Sequence, residues 1–425
     1  MVERKAGLIV TYTRRYENFL VMVLFLTWGT VFLDRMAQLY LAPYIIPDLH
    51  MSNQQVGILA SVTALAWAAS TVLFGAISDR VGRRAVLIPA VFAFSLLSWI
   101  SGAVQSYEQM LLVRALLGFA EGPCFSVIMA IMEESSETER RAPNVGVVIS
   151  AASLVGLALA PVLTTQVAAH FGWRWAFFVA GIPGIILGFL IAIYVIEPRQ
   201  QAGNPAAHRG RPAGPASVGE YFAVLRYRNM LLCCVIAAAN LTFLFLLNVF
   251  APLYITQVAG QAPTTAGFIL GASGLGAFFG GIIWPGVSDR IGRKPTLLIN
   301  SVTTGLVPLL LLVPALYWNL WLMALLMFAF TGAQSLAALS LVIIPTETVP
   351  RQVAATGIGL ATMFAEVVGA TVAPAVGGNL AQSYGLPLTL WGAAAAMVVL
   401  FIVTLFLQET VKAATAPKPP IVASA

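Results

Sequence analysis

The chain has 425 residues, of which 59% are hydrophobic and 9% charged, and its mean hydropathy is +0.87. A soluble protein of this length cannot hide so much apolar surface in its own core, which excludes a water-soluble enzyme. The net charge of +6 would suggest nucleic acid in a soluble chain, but here the basic residues have another reading, given below.

Taken in order, twelve stretches reach the roughly 20 residues that a helix needs to cross a bilayer. They fall near 18–46, 54–78, 85–104, 108–132, 143–168, 174–196, 229–256, 264–287, 296–315, 317–344, 353–381 and 386–408. The alternating pattern of a membrane barrel is absent, so an all-α, polytopic membrane protein is expected. The first span follows a basic start (Arg4, Lys5, Arg14, Arg15). It is too long for a secretory signal, carries Asp34-Arg35 and lacks a small-residue cleavage site, so it reads as retained. Of the 23 Lys and Arg, Arg35 and Arg114 fall inside spans and Arg174 in an outer loop. The remaining 20 (23 − 3) lie on one side if the chain starts in the cytoplasm. The positive-inside rule therefore predicts that both ends are cytoplasmic, and the basic balance reflects topology rather than a nucleic-acid partner.

Between the sixth and seventh spans the composition changes. Pro198, Pro205, Pro212 and Pro215, with glycines, alanines and scattered arginines, predict a flexible linker. The expected organisation is an N-terminal six-helix bundle at 1–196, a cytoplasmic linker at 197–227, a C-terminal six-helix bundle at 228–411 and a disordered tail at 412–425. Cys124, Cys233 and Cys234 all lie within spans, two of them adjacent, and no CxxC or His-rich cluster accompanies them. Packed thiols are expected, with neither a disulfide framework nor a metal.

The two bundles are repeats. Ser78-Asp79-Arg80-Val81-Gly82-Arg83-Arg84 recurs as Ser288-Asp289-Arg290-Ile291-Gly292-Arg293-Lys294, 210 positions on (288 − 78). Val155-Gly156 and Ala160-Pro161 in the fifth span recur as Val368-Gly369 and Ala373-Pro374 in the eleventh, 213 positions on (368 − 155). Parallel duplication in a membrane protein marks a transporter with its substrate site between the repeats.

Gly75-x-x-Ser-Asp-Arg-x-Gly-Arg-Arg, its second copy with Pro285 in place of the glycine, and the half-ends Glu197-Pro198 and Glu409-Thr410 resemble the major facilitator superfamily. That resemblance covers all twelve spans and implies two pseudo-symmetric six-helix bundles. The phrase reads as a cytoplasmic gate, with Asp79, Arg80, Arg83, Asp289, Arg290 and Arg293 as a charge lock between the halves.

An ionised side chain at mid-bilayer costs about 2.5–3.5 kcal/mol, so intramembrane charge is functional by default. There are five candidates: Asp34, Arg35, Arg114, Glu121 and Glu366. Asp34 and Arg35 are neighbours about 100° apart on a helix, so one faces the central cavity and the other an adjoining helix. Arg114 and Glu121 share one face of the fourth span, about 10 Å apart along its axis. Gly118 and Gly122 beside them permit close helix approach. Glu366 has no basic residue in its own half of the membrane, so it is expected to be neutral or to line the cavity.

Asp34-Arg35 together with Arg114-x-x-x-Gly118-x-x-Glu121-Gly122 resembles the anion:cation symporter family within that superfamily. This implies a bacterial proton symporter for sugar acids or other organic acids, monomeric and multi-pass in the cell's inner membrane, with no cofactor. The chemistry agrees. An arginine fork suits a carboxylate, and desolvation favours the neutral form of a carboxyl, as a proton carrier needs. Arg35, Arg114, Trp67, Gln334, Glu366 and Asn248 are the expected substrate-binding residues, and Asp34 and Glu121 the proton-coupling ones. The expected function is uptake of an organic anion, a monocarboxylate, by proton symport. The alternative is drug:proton antiport, suggested by Gly156-x-x-x-Ala160-Pro161 but disfavoured by two intramembrane arginines.

Overall fold

The computed structural model describes residues 14–197, 224–350 and 353–411. Among them, twelve helices are long and apolar enough to cross a membrane. They are α1 (Arg14–Leu49), α2 (Asn53–Val81), α3 (Arg83–Ala103), α4 (Tyr107–Ser135), α5 (Arg141–Phe171), α6 (Trp173–Tyr194), α7 (Arg228–Val258), α8 (Pro263–Ile291), α9 (Arg293–Leu311), α10 (Leu320–Thr348), α11 (Thr356–Tyr384) and α12 (Pro387–Leu405). Most of the expected linker and all of the expected tail lie outside the described residues.

All twelve expected spans are helices, with two local corrections. The stretch between the fourth and fifth expected spans is a loop over Ser136–Arg140 only, shorter than expected, because α4 continues through Ser135 and α5 begins at Arg141. Its charges hold it there, since Arg140 pairs with the buried Glu17 of α1 at 2.7 Å and Glu134 with Arg83 of α3 at 3.0 Å. The tenth span starts later than expected. Pro314–Trp318 forms a short 3₁₀ turn, and Asn319 Oδ1 then caps α10 by accepting from the Leu322 amide at 3.0 Å.

Burial orders the helices. The most apolar window of α1, of α4 and of α7 is 67% buried against 39% for α12. The first three are therefore central, while α12 turns Val398, Ile402 and Leu405 outward, the apolar face a bilayer would cover.

The duplication has a structural meaning at each repeated phrase. Gly82 and Gly292 have φ of +110° and +103°, a backbone that side-chain-bearing residues rarely adopt, and each makes the tight turn into the next helix. The helix start that follows is closed by a carboxylate from the end of the same half. Glu197 accepts from the amides of Arg83 (2.9 Å) and Arg84 (2.8 Å), and Glu409 from those of Arg293 (2.9 Å) and Lys294 (3.0 Å). Burial alone would raise the Glu409 carboxyl, but the amides of Val411, Arg293, Lys294 and Thr410 outweigh it and hold the group below the usual glutamate range.

The second repeat marks helix crossings. A Cβ on Gly156 would lie 2.6 Å from Phe32 Cβ of α1, and one on Gly369 would lie 2.6 Å from Leu241 Cβ of α7. Around each glycine the helix widens to π geometry, over Ala152–Leu159 and Ala365–Val372. Pro161 and Pro374 follow directly, and the missing proline amide removes a bond that would hold the α-helical turn.

The halves meet most closely at one end. There Gly57 of α2 lies against the backbone of Pro374 and Gly378 in α11, and Gly267 and Gly271 of α8 lie against Pro161 and Ala158 of α5. At the end carrying the Ser-Asp-Arg phrases, residues 141–151 of α5 and 354–364 of α11 pack against helices of their own half instead. The molecule is therefore open at that motif end.

Candidate functional site

Asp34 and Arg35 diverge from α1 as the helical period requires. Asp34 turns into its own half. Its Oδ1 accepts from Ser98 Oγ of α3 at 2.5 Å, and its Oδ2 lies 3.9 Å from Arg114 Nη1 of α4. Arg114 Nη1 also donates to the Asp34 carbonyl at 3.4 Å, and its guanidinium lies over the Phe177 ring of α6 at 4.5 Å. Asp34 and Arg114 are both fully buried, so this pair is sealed between α1, α3, α4 and α6.

Arg35 points the other way, toward the second half. Its Nη2 lies 3.6 Å from Oε2 of Glu366 on the widened turn of α11. The Glu366 side chain is 14% exposed against 4% for Arg35, so the acid is the less enclosed partner. This corrects the expectation of a glutamate without a basic neighbour. The cation comes from the opposite bundle, 331 positions away in sequence (366 − 35). Three rings surround the same guanidinium: Trp67 of α2 at 4.6 Å, Phe245 of α7 at 5.6 Å and Phe32 of α1 at 5.9 Å. Such rings favour a cation that has lost its water.

Glu121 lies in α4 between these two systems, fully buried and within electrostatic reach of Asp34, Arg35 and Arg114. Neither of its oxygens accepts a hydrogen bond among the described residues. The close packing of α4 on α2 comes from Gly118 and Gly122. A Cβ at Gly118 would strike the Thr63 carbonyl, and one at Gly122 would lie 2.6 Å from the Trp67 carbonyl. Thus the glycines beside Arg114 and Glu121 seat α4 directly behind the Trp67 turn.

The site is polar but under-satisfied. Buried atoms without a hydrogen-bond partner among the described residues include Arg35 Nη2, Glu366 Oε2, Arg114 Nη2, Gln38 Oε1, Trp67 Nε1 and Ser153 Oγ. Unpaired groups of this kind are costly unless something binds them. Asn248 differs, because its amide is committed: Oδ1 accepts from Tyr40 Oη at 2.7 Å and Nδ2 donates to the Leu244 carbonyl at 2.8 Å. It joins the two halves near the closed end. Gln334 lies on α10, but its side chain falls outside what is described.

Among the described residues, the ion pairs of the Ser-Asp-Arg phrases bind helices within each half, not half to half. Asp79 pairs with Arg83 at 2.6 Å and Arg83 with Glu134; Asp289 pairs with Arg293 at 2.6 Å and Arg293 with Glu347 at 2.8 Å. Arg80 and Arg290 are exposed. With this end of the molecule open, the two sets of charges are not brought together.

Sequence reasoning passed over Ser98, Phe177, Phe32 and Phe245. A serine or phenylalanine inside an apolar span carries no local signal that distinguishes a site residue from packing.

Two pseudo-symmetric six-helix bundles with charges buried between them define a membrane carrier of the duplicated type. Residues 23–370 match the Major Facilitator Superfamily, and the chain belongs to that family. It is similar to the probable 4-methylmuconolactone transporter of Cupriavidus pinatubonensis, with 28% identity over 358 residues covering 82% of this chain and 81% of the relative. It is also similar to the cis,cis-muconate transport protein of Acinetobacter baylyi, with 26% identity over 367 residues covering 85% and 87%. The same fold occurs in the crystal structure of a bacterial homologue of the human lysosomal transporter Spinster in an inward-facing, unoccupied conformation. That likeness has a TM-score of 0.75 at 16% identity and covers 93% of this chain and 98% of the other.

Proposed function

We propose that this protein moves a small organic anion, a monocarboxylate, across the bacterial inner membrane by proton symport with alternating access. The observation that carries the reading is Arg35. It is a desolvated arginine facing the opposite half, and among the described residues its Nη2 has no hydrogen-bond partner and its counter-ion Glu366 is held at 3.6 Å without a hydrogen bond to Oε2. A substrate carboxylate offers this fork two short, charge-assisted bonds, and so displaces Glu366. The names of the relatives, a muconolactone and a muconate carrier, support an organic acid.

Glu121 is the proton carrier in this reading, because among the described residues its oxygens accept no hydrogen bond that protonation would break. Asp34 and Arg114, sealed together, balance charge behind it. The motif end carries most of the basic residues described, among them Arg14, Arg15, Arg83, Arg84, Arg140 and Arg293, so it is the cytoplasmic end in this reading and the state described opens inward. Binding of anion and proton from outside, rocking of the halves about the Arg35 seat and release inward complete the cycle.

The test is reconstitution in liposomes with an inward acid gradient and a panel of radiolabelled carboxylates. Accumulation above equilibrium that a protonophore collapses is expected. An absence of carboxylate uptake, together with proton-driven extrusion of a cationic dye, would overturn the proposal in favour of antiport.

A further inference from the structure

We propose that the Arg35 seat selects planar, conjugated carboxylates over saturated acids of the same size and charge. This rests on Arg35 being the partner of the anion, and it adds a shape requirement to that reading.

A carboxylate bound by both nitrogens of an arginine fork lies in the plane of the guanidinium. In an acid whose carboxyl is conjugated to a double bond or a ring, the carbons beyond also lie in that plane. In a saturated acid, the hydrogens of the tetrahedral carbons stand above and below that plane, and free rotation next to the carboxyl leaves the chain unrestrained. Whatever covers the faces of the guanidinium therefore also covers the near part of the substrate. Here the covering groups are aromatic: Trp67 from the first half at 4.6 Å and Phe245 from the second at 5.6 Å, with Phe32 at 5.9 Å. A flat, unsaturated body gains ring contact in such surroundings, while a saturated chain is thicker, holds the rings further off and loses torsional freedom on binding.

The polar inventory agrees. A polyhydroxy acid needs a partner for each hydroxyl, because a buried hydroxyl without one is penalised. The side chains shown against Arg35 are three rings and Glu366, and among the described residues Trp67 Nε1 is a buried donor with no partner. Ring faces offer a hydroxyl no strong partner, so this part of the seat suits a flat apolar body better than a row of hydroxyls. Trp67 and Phe245 come from different halves, so the slot forms only where the halves approach and the shape is read at the site of rocking.

The experiment compares matched pairs in proteoliposomes under an acid gradient: benzoate against cyclohexanecarboxylate and sorbate against hexanoate, with gluconate as the polyhydroxy case. In wild type, the planar member of each pair should have a kcat/KM about tenfold higher, the scale of one ring contact. Trp67→Leu should bring both ratios close to one, with kcat/KM falling further for the planar member of each pair than for the saturated one; Trp67→Phe should keep part of the preference. Phe245→Leu, on the other half, carries the same test if Trp67→Leu aggregates. Equal uptake of saturated and planar acids, preferred uptake of gluconate, or ratios that survive in both leucine variants would overturn the proposal while leaving anion transport standing. Uptake of no acid at all would overturn anion transport and this selectivity together.

Discussion

Arg35 and Glu366 face one another from opposite bundles at 3.6 Å, an ion pair that joins the two halves of the molecule at its buried centre. Arg35 is almost wholly enclosed and Glu366 is the less enclosed partner. In the function proposed above, Glu366 is an internal carboxylate at the place a substrate carboxylate takes.

If Glu366 competes with substrate for Arg35, removing its charge should help binding. Glu366→Gln is expected to lower the apparent Kd for a transported carboxylate by about three- to tenfold, the worth of a loose, partly buried ion pair. Titration calorimetry on purified protein checks this. A weaker affinity would instead make Glu366 a direct substrate contact.

Glu121→Gln should abolish accumulation driven by an acid gradient while leaving exchange of external for internal substrate measurable. Exchange needs no net proton movement, and the amide keeps the size of the acid. Counterflow assays on the same liposomes separate the two, and loss of both would point to a structural role.

Asp34 and Arg114 predict a stability effect. Arg114→Met removes one member of a fully buried pair and strands Asp34, a change that costs about 3–5 kcal/mol. The double variant Asp34→Asn/Arg114→Met leaves no stranded charge and should recover a large part of that loss. Melting temperatures in detergent give the comparison.

Gly122→Ala should loosen the contact between α2 and α4. The added methyl would lie 2.6 Å from the Trp67 carbonyl and 2.8 Å from the Thr71 amide nitrogen, and the backbone cannot yield cheaply. A loss of about 1–3 kcal/mol is expected, seen as a lower melting temperature. Because the displaced turn carries Trp67, the preference for planar acids should shrink as well.

Glu409 gives a pH dependence. Its carboxyl is depressed in the folded state, so its contribution is complete above the unfolded glutamate value of about 4.3 and is lost as pH falls through the lower folded value. Glu409→Gln should be less stable than wild type near neutrality, and the difference should narrow as the pH drops below about 4. A thermal-shift series across acidic pH checks the sign.

Much of the fold was legible because its signals are local. Each apolar run declares its own helix, Gly82 and Gly292 declare their turns, and the repeated phrases declare two halves. The five intramembrane charges also stood out, since a charge in an apolar run is visible without knowing its neighbours. Their pairing was not visible. The 100° step between Asp34 and Arg35 showed that they must diverge, but not which would meet Ser98 and Arg114 and which would meet Glu366. That choice depends on how α1 is rotated against α3, α4 and α11.

By itself, then, the sequence determined the membrane-spanning architecture, the duplication and the list of charges available for chemistry. The tertiary structure alone decided that Arg35 takes its counter-ion from the second half and its aromatic surroundings from both. The contacts to Glu366 and Phe245 join residues hundreds of positions apart, through crossings set by glycine packing at Gly156, Gly369 and Gly122, where no local pattern records which helix lies across the gap.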